Sequence, residues 1–308
     1  MTSSFIKNVL VIGPTGNVGK STVKALLDEN FHVTGLTRES STATLPPGVQ
    51  HLKTDFTPSS LARAFANQDA VVSTISSITP AGALSLQHSL IDAAIAAGVK
   101  IFVPSEYGID TSSRSAGDYV PFLADKIATV DHLKSQEDHI SWVAVITGSM
   151  FDWGLNIPGF GGWNVAARTA TIYDGGDVPY EATNLDQVGR AIAKSLRKHE
   201  MTRNQYVYVN SFTVTQNEVL RALEGATGEK FSVAQGTVEE LWQGGAAKVK
   251  EGQPVGVLDM IAGAIYGKGG LAHYSATKGL WNEKLGLQQE NLDEFLGNYV
   301  AGMQGSKC

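Results

Sequence analysis

The sequence predicts a doubly wound α/β fold, a parallel sheet with helices on both faces, followed by a smaller α+β lobe. Three observations predict it. Val9-Leu10-Val11-Ile12, the run from Asp69 to Ser76 and Lys100-Ile101-Phe102-Val103 are short and continuously apolar, as strands buried on both faces must be. Helix-length segments separate them, giving the strand–helix alternation of parallel sheets. Finally, the first apolar run breaks into Gly13-Pro14-Thr15-Gly16-Asn17-Val18-Gly19 and then starts a helix.

That glycine stretch organises the chain. With spacing G-x-x-G-x-x-G, the glycines allow a tight turn, a close backbone approach to a pyrophosphate and tight packing of the next helix, about Asn17 to Asp28, on the strand. The helix N-terminus then offers unpaired N–H groups and a positive dipole end to phosphates. Gly19-Lys20-Ser21 imitates the end of a P-loop, but the register excludes it: five residues rather than four separate Gly13 from Gly19. Gly13, Thr15, Gly16, Asn17, Val18 and Gly19 are therefore expected around a dinucleotide.

A second strand, Phe31 to Thr37, ends at Arg38, nineteen residues beyond Gly19. An acidic residue near this point selects NAD through the ribose 2′-OH, whereas arginine accommodates the 2′-phosphate of NADP. Arg38 points to NADP(H). A strand near Val49 to Lys53 leads to Asp55, expected to reach the adenine, and to a helix capped at Thr57 or Ser59 that runs through Leu61 and Phe65. The strand from Asp69 places Thr74 beside the cofactor. A helix from about Gly82 to Ala97 stops at Gly98, and the strand at 100–103 delivers Ser105 to the same sheet edge. A polar loop from Ile109 to Asp118, a helix from about Tyr119 to Gln136 and a strand from Ser141 to Thr147 complete a nucleotide-binding part, residues 1–150.

Beyond Gly148 glycines and aromatics interleave, and shorter strands (near Ala170 to Tyr173 and Gln205 to Asn210) mix with helices such as Gln187 to Leu196 and Gln216 to Leu223. Residues 151–308 are expected to form a substrate-binding lobe, with interleaving of the two parts in space allowed. Phe151, Trp153, Phe160, Trp163, Met260 and Tyr266, with Tyr107 from the nucleotide part, are expected to line an apolar pocket for an aromatic or hydrophobic small molecule.

Composition excludes other classes. A net charge of −6 without any basic block argues against nucleic acid. Cys308 is the only cysteine and the seven histidines are scattered, so neither a disulfide framework nor a metal site is expected. No signal-like stretch or long apolar run is present, and the expectation is a cytoplasmic protein without membrane contact, a homodimer left open.

Two lysines compete for a catalytic role. Tyr274-Ser275-Ala276-Thr277-Lys278 copies the Tyr-x-x-x-Lys pair of many short-chain dehydrogenases, but that pair belongs on the helix after the fifth strand, and this copy lies far beyond it. A local structural role is expected there. Lys126 does occupy the helix after the fifth strand.

With these pieces in order the chain resembles the isoflavone reductase and NmrA-like branch of the atypical short-chain dehydrogenases. The glycine turn, Arg38, Phe102-Val-Pro-Ser-Glu-Tyr-Gly108, Lys126, Asp186-Gln-Val-Gly189 and Asn210 to Glu218 carry the likeness. The resemblance implies an NADPH-binding Rossmann domain, a small lobe closing over the nicotinamide, and Lys126 as the proton-transfer group of a reductase. Such a role suits a lysine whose burial lowers its pKa. The family also contains regulators that bind the dinucleotide, sense its redox state and act through protein partners without turnover, which is the rival reading. Three departures stand out: Pro14 and Tyr107 replace the usual glycine and phenylalanine, and the paired arginines common after the lysine in plant members are absent from Ile127-Ala-Thr-Val-Asp131.

Overall fold

A computed structural model describes residues 5–76 and 83–305. Its first half alternates strands and helices: β1 (Asn8–Ile12), α1 (Asn17–Asp28), β2 (His32–Arg38), β3 (Val49–Thr54), α2 (Pro58–Phe65), β4 (Ala70–Ser73), α3 (Ala83–Ala96), β5 (Ile101–Val103), α4 (Ala116–Tyr119), α5 (Leu123–Ser135) and β6 (Ser141–Ile146). The second half has β7 (Ser149–Met150), α6 (Phe151–Leu155), β8 (Trp163–Asn164), β9 (Thr169–Tyr173), β10 (Tyr180–Thr183), α7 (Leu185–Arg197), α8 (His199–Thr202), β11 (Gln205–Tyr208), β12 (Phe212–Val214), α9 (Gln216–Thr227), β13 (Ser232–Gly236), α10 (Val238–Lys250), α11 (Gly256–Ile265), α12 (Asn282–Leu285) and α13 (Leu292–Gly305).

The main sheet is wholly parallel, in the order β11-β6-β5-β4-β1-β2-β3. All four residues of β4 and all three of β5 are buried, because helices cover both faces. The order reverses between β1 and β4, where the chain leaves β3 and crosses back. Ligands of open parallel sheets bind in the crevice at such a switch point, outside the strand C-termini. Here Thr74 closes it, its Oγ1 donating to the carbonyls of Ile12 and Gly13 at 2.8 and 2.9 Å.

Two elements beyond residue 150 belong spatially to this layer. The strand expected from Gln205 to Asn210 is β11, and it pairs with β6 from Gln205↔Val143 to Tyr208↔Ile146 as the seventh strand. Helix α7 packs on α1 so closely that a Cβ on Gly189 would stand 2.3 Å from the Ser21 carbonyl oxygen. The remaining strands form two three-stranded sheets, β12-β10-β7 and β13-β9-β8, over a separate core that includes Tyr180, Phe212 and Leu296.

Two expected elements differ from the structure. The helix from Tyr119 to Gln136 is two helices, α4 and α5, with Pro121 between them. Proline lacks the N–H a helix interior needs and pushes the preceding residue out of helical geometry, and Val120 accordingly sits at φ −137° and ψ 104°. The strand from Asp69 ends at Ser73 because Thr74 turns its side chain back onto the β1 carbonyls.

Candidate active site

The turn after β1 has the shape its glycines demand. Gly13 adopts φ +80°, and a Cβ on Gly19 would lie 2.1 Å from the Gly13 carbonyl oxygen, so Gly19 is the point where α1 presses on the turn. Gly16 caps α1 without any side-chain hydrogen bond, and the first turn of the helix carries no acidic residue. Among the described residues no side chain caps its N–H groups, and Gly13, Thr15, Gly16, Asn17 and Val18 line an open space at that end of the helix. Pro14, a departure from the family pattern, has a structural account: its ring is buried over β2, where a Cβ on Gly35 would come within 3.1 Å of its Cγ.

That space is one cavity of about 1150 Å³, and it runs from the glycine turn to the C-terminal lobe. Arg38 stands exposed at one end beside Ser40, Ser41 and Thr42. Among the described residues its guanidinium makes no hydrogen bond or ion pair, so all its donors are available to a ligand. Lys53 fixes the neighbouring loop by donating to the Ser41 carbonyl at 2.8 Å. Phe56, held at φ +63°, contributes a wall. Thr74 and Ser105 also line the cavity.

Asp55 does not. Its Oδ1 accepts from the Thr57 N–H at 3.0 Å and the Thr57 hydroxyl at 2.8 Å, an arrangement that starts α2 and, through the Thr57 backbone bond first, holds the carboxyl below its ordinary pKa. The short aspartate satisfies the nearest unpaired donors, and Phe56 takes the cavity wall. Gly19 is likewise buried behind the wall instead of in it.

At the middle of the cavity lies Lys126, on the first turns of α5. Its Nζ donates to the Glu106 carbonyl oxygen at 2.5 Å and stands 5.7 Å from the centre of the Phe122 ring. Burial pushes its amine below the usual lysine range, while the Glu106 carboxyl pulls in the other direction. Glu106 is 1 % exposed, its carboxyl takes the Thr111 hydroxyl proton as a hydrogen bond, and burial pushes its pKa up against the pull of Lys126. Both members of this pair are thus driven toward neutrality. Tyr107 lines the cavity, but its hydroxyl is turned away, donating to the Ser73 carbonyl at 3.1 Å, and burial raises its pKa further.

Beyond Lys126 the walls are almost entirely hydrocarbon: Ile109, Phe122, Leu123, Met150, Trp153, Phe160, Ile261 and Ile265, with Ser149 at the edge. Trp153 and Phe160 meet edge to face at 5.5 Å. Of the expected pocket residues these two and Tyr107 line the cavity; Phe151, Trp163, Met260 and Tyr266 do not. Phe151 packs between Phe212 and Phe295, Trp163 donates to the Tyr266 hydroxyl at 3.1 Å, and that hydroxyl donates to the Gly161 carbonyl at 2.9 Å. Met260 is 3 % exposed on the core side of α11. A helix shows only one face to a cavity, and on α11 that face carries Ile261 and Ile265, four residues apart. That spacing was readable in the sequence; which face turns inward was not.

The Tyr274 to Lys278 segment is a turn, not a helix. Tyr274 is buried and donates to the Val209 carbonyl at 2.7 Å, and neither residue lines the cavity. Among the described residues no group of histidine, cysteine and carboxylate side chains is arranged to hold a metal, and no helix is long and apolar enough to cross a membrane.

Known proteins resemble this chain over nearly all of their length. The oxidoreductase aprR of Aspergillus flavus is 34% identical, the match covering 96% of this chain and 99% of that one. The oxidoreductase poxI of Penicillium oxalicum is 28% identical over 93% of this chain and 91% of its own. Among solved structures, the binary complex of leucoanthocyanidin reductase with NADPH from Vitis vinifera superposes with a TM-score of 0.78 at 18% identity, covering 96% of this chain and 99% of that one, a likeness of fold. The profile of the NmrA-like family matches residues 6–296, and the chain belongs to that family.

Proposed function

We propose that the protein is an NADPH-dependent oxidoreductase that reduces an aromatic or otherwise hydrophobic small molecule, with Lys126 as the acid/base. The carrying observation is that one continuous cavity joins the glycine turn, Arg38, which is unpaired among the described residues, and an apolar chamber whose main ionisable group is Lys126. Full-length relatives named oxidoreductases support the same class.

The residues fit the cofactor. Gly13, Gly16 and the open end of α1 would hold the pyrophosphate, and Arg38 with Ser40 and Ser41 the 2′-phosphate. When bound, NADPH supplies the hydride. Everything else falls to the chain. Phe122, Met150, Trp153, Phe160, Ile261 and Ile265 exclude water and press an aromatic ring into place. Lys126, anchored on the Glu106 carbonyl and with its amine pushed below the usual lysine range by burial, exchanges a proton with the substrate oxygen. In this chamber a phenolic or enolic oxygen finds its proton-transfer partner at Lys126, which favours phenylpropanoid-like or polyketide-derived substrates.

Purified protein is expected to oxidise NADPH with an acceptor from a panel of phenols and enones. Lys126→Ala should lower kcat by about 10²–10⁴-fold, the usual contribution of a positioned acid/base, with NADPH affinity within about threefold of wild type. An alanine variant that turns over normally would refute the role. NADPH binding with no consumption across the panel would favour a redox sensor.

A further inference from the structure

The amine of Lys126 rests on a residue that can carry a charge of its own. Nζ donates to the Glu106 backbone carbonyl at 2.5 Å, and the side chain of that same Glu106 is 1 % exposed. One residue therefore supplies both the seat of the amine and a buried carboxyl close to it. No ion pair joins the two side chains among the described residues, so the carboxyl acts on Lys126 through space. In a protein interior such an interaction is screened far less than in water.

The carboxyl has one hydrogen-bond donor of its own, the Thr111 hydroxyl, and a donor to a carboxylate favours the charged form. Thr111 is 1 % exposed and pinned on both sides. The Tyr208 hydroxyl, at the end of β11, bonds to Asp110 Oδ1 at 3.2 Å and to Ser112 Oγ at 2.8 Å, and the Asp110 N–H donates to the Leu271 carbonyl at 3.0 Å.

Few charges reach this pair. The charge that acts on Lys126 is Glu106. Glu106 in turn meets Lys126 from α5, Asp110 from its own loop, Tyr107 beside it and Tyr206 from β11. Burial keeps both phenols protonated, and Asp110 opposes a second negative charge, which leaves Lys126 as the cation that favours the Glu106 carboxylate. Asp125, next to Lys126 on α5, is partly exposed, and α3 presents only the uncharged Leu84 and Gln87 on this side.

We propose that Glu106 is a positioning residue for the proton transfer: its carboxylate, kept charged by the Thr111 hydroxyl, holds the Lys126 ammonium and sets the proton affinity of that amine. The proposal rests on the acid/base reading of Lys126. Glu106 does not line the main cavity, so it acts only through the lysine. When the Nζ–H bond breaks and the substrate O–H bond forms, the amine becomes neutral and the carboxylate stays buried without its counter-charge. An uncompensated buried charge is costly, so the next proton from water is drawn back to Lys126 and the ammonium is restored.

The experiment follows Lys126 by NMR titration of protein labelled with ¹³C at the lysine ε-carbons, its resonance assigned by loss in Lys126→Ala. Glu106→Gln keeps the backbone seat and an acceptor for Thr111 while it removes the charge. A neighbouring opposite charge moves a titration midpoint by about 1–3 pH units, so the Lys126 midpoint should fall by about 1–2 pH units in this variant. Thr111→Val should lower it by less in the same direction, and Thr111→Ser, which keeps the donor, should restore the wild-type midpoint. The limb of the kcat/KM pH profile set by Lys126 should move with the midpoint, whereas a purely structural defect lowers the whole profile and leaves the limb in place. If Glu106→Gln does not fold, the Thr111 variants decide. An unchanged or raised Lys126 midpoint in Glu106→Gln, or in Thr111→Val where that variant decides, overturns the proposal. Because the titration needs no turnover, it fails separately from the functional reading, which fails when Lys126→Ala retains normal activity.

Discussion

Arg38 allows the cofactor assignment to be tested at one side chain. It is exposed, ends β2 at the rim of the cavity, and makes no hydrogen bond or ion pair among the described residues. Its removal therefore breaks nothing inside the protein, and Arg38→Ala should unfold no more easily than wild type. A hydrogen bond to a charged group contributes about 1.5–3 kcal/mol. At this site solvent and salt screen the pair, with a Debye length of about 8 Å at physiological ionic strength, so the lower part of that range applies, about 1.5–2.5 kcal/mol. With about 1.4 kcal/mol per factor of ten, Arg38→Ala should raise the NADPH Kd by about 10- to 60-fold. NADH has no 2′-phosphate, and its Kd should change by less than about threefold by the same count. Trp153 lines the cavity, so quenching of tryptophan fluorescence reports both titrations. The wild-type preference for NADPH should also shrink as salt rises. Equal losses for the two nucleotides, or a preference indifferent to salt, would show that Arg38 does not meet the 2′-phosphate.

Two further expectations concern packing and charge. Gly189→Ala places a Cβ 2.3 Å from the Ser21 carbonyl, which forces α7 and α1 apart; overpacking of this kind costs about 1–3 kcal/mol, so the Tm should fall by several degrees and NADPH should bind less tightly, since α1 presents the phosphate-facing N–H groups. An unchanged Tm would mean that the helix pair yields without cost. Glu106 has a folded-state pKa raised by burial, so its contribution to stability is complete below the unfolded carboxylate value of about 4.3 and is lost as pH rises through the folded value. Glu106→Gln keeps an acceptor for Thr111 and removes that dependence. The variant's Tm relative to wild type should therefore be higher at pH 8 than at pH 4, and the opposite trend in paired thermal melts would contradict the burial argument.

Much of the site was legible because its chemistry is local. The glycine turn, Arg38 and Lys126 are each defined by residue type at a fixed distance from a strand end, and short-range backbone geometry brings Gly13, Gly16, Arg38, Thr74, Ser105 and Lys126 to one sheet edge. The apolar wall was only partly legible. Phe151, Trp163, Met260 and Tyr266 are as hydrophobic as Trp153 and Phe160, and composition cannot separate a residue packed on Phe295 from one packed on a ligand. Asp55 shows the same limit for polar groups: a carboxylate two residues before the Thr57 N–H goes to that donor first.

By itself, then, the sequence determined a parallel α/β sheet, a glycine turn at its strand ends, and Lys126 on a helix between the fifth and sixth strands. Only the tertiary structure decided which faces of α6 and α11 meet the cavity, that β11 and α7 return from the second half to complete the sheet and brace α1, and that Glu106 is buried beneath Lys126. The physical reason is range. Turns, caps and strand runs are set by neighbours a few residues apart, whereas burial, pKa and cavity walls are set by whatever the rest of the chain packs against them.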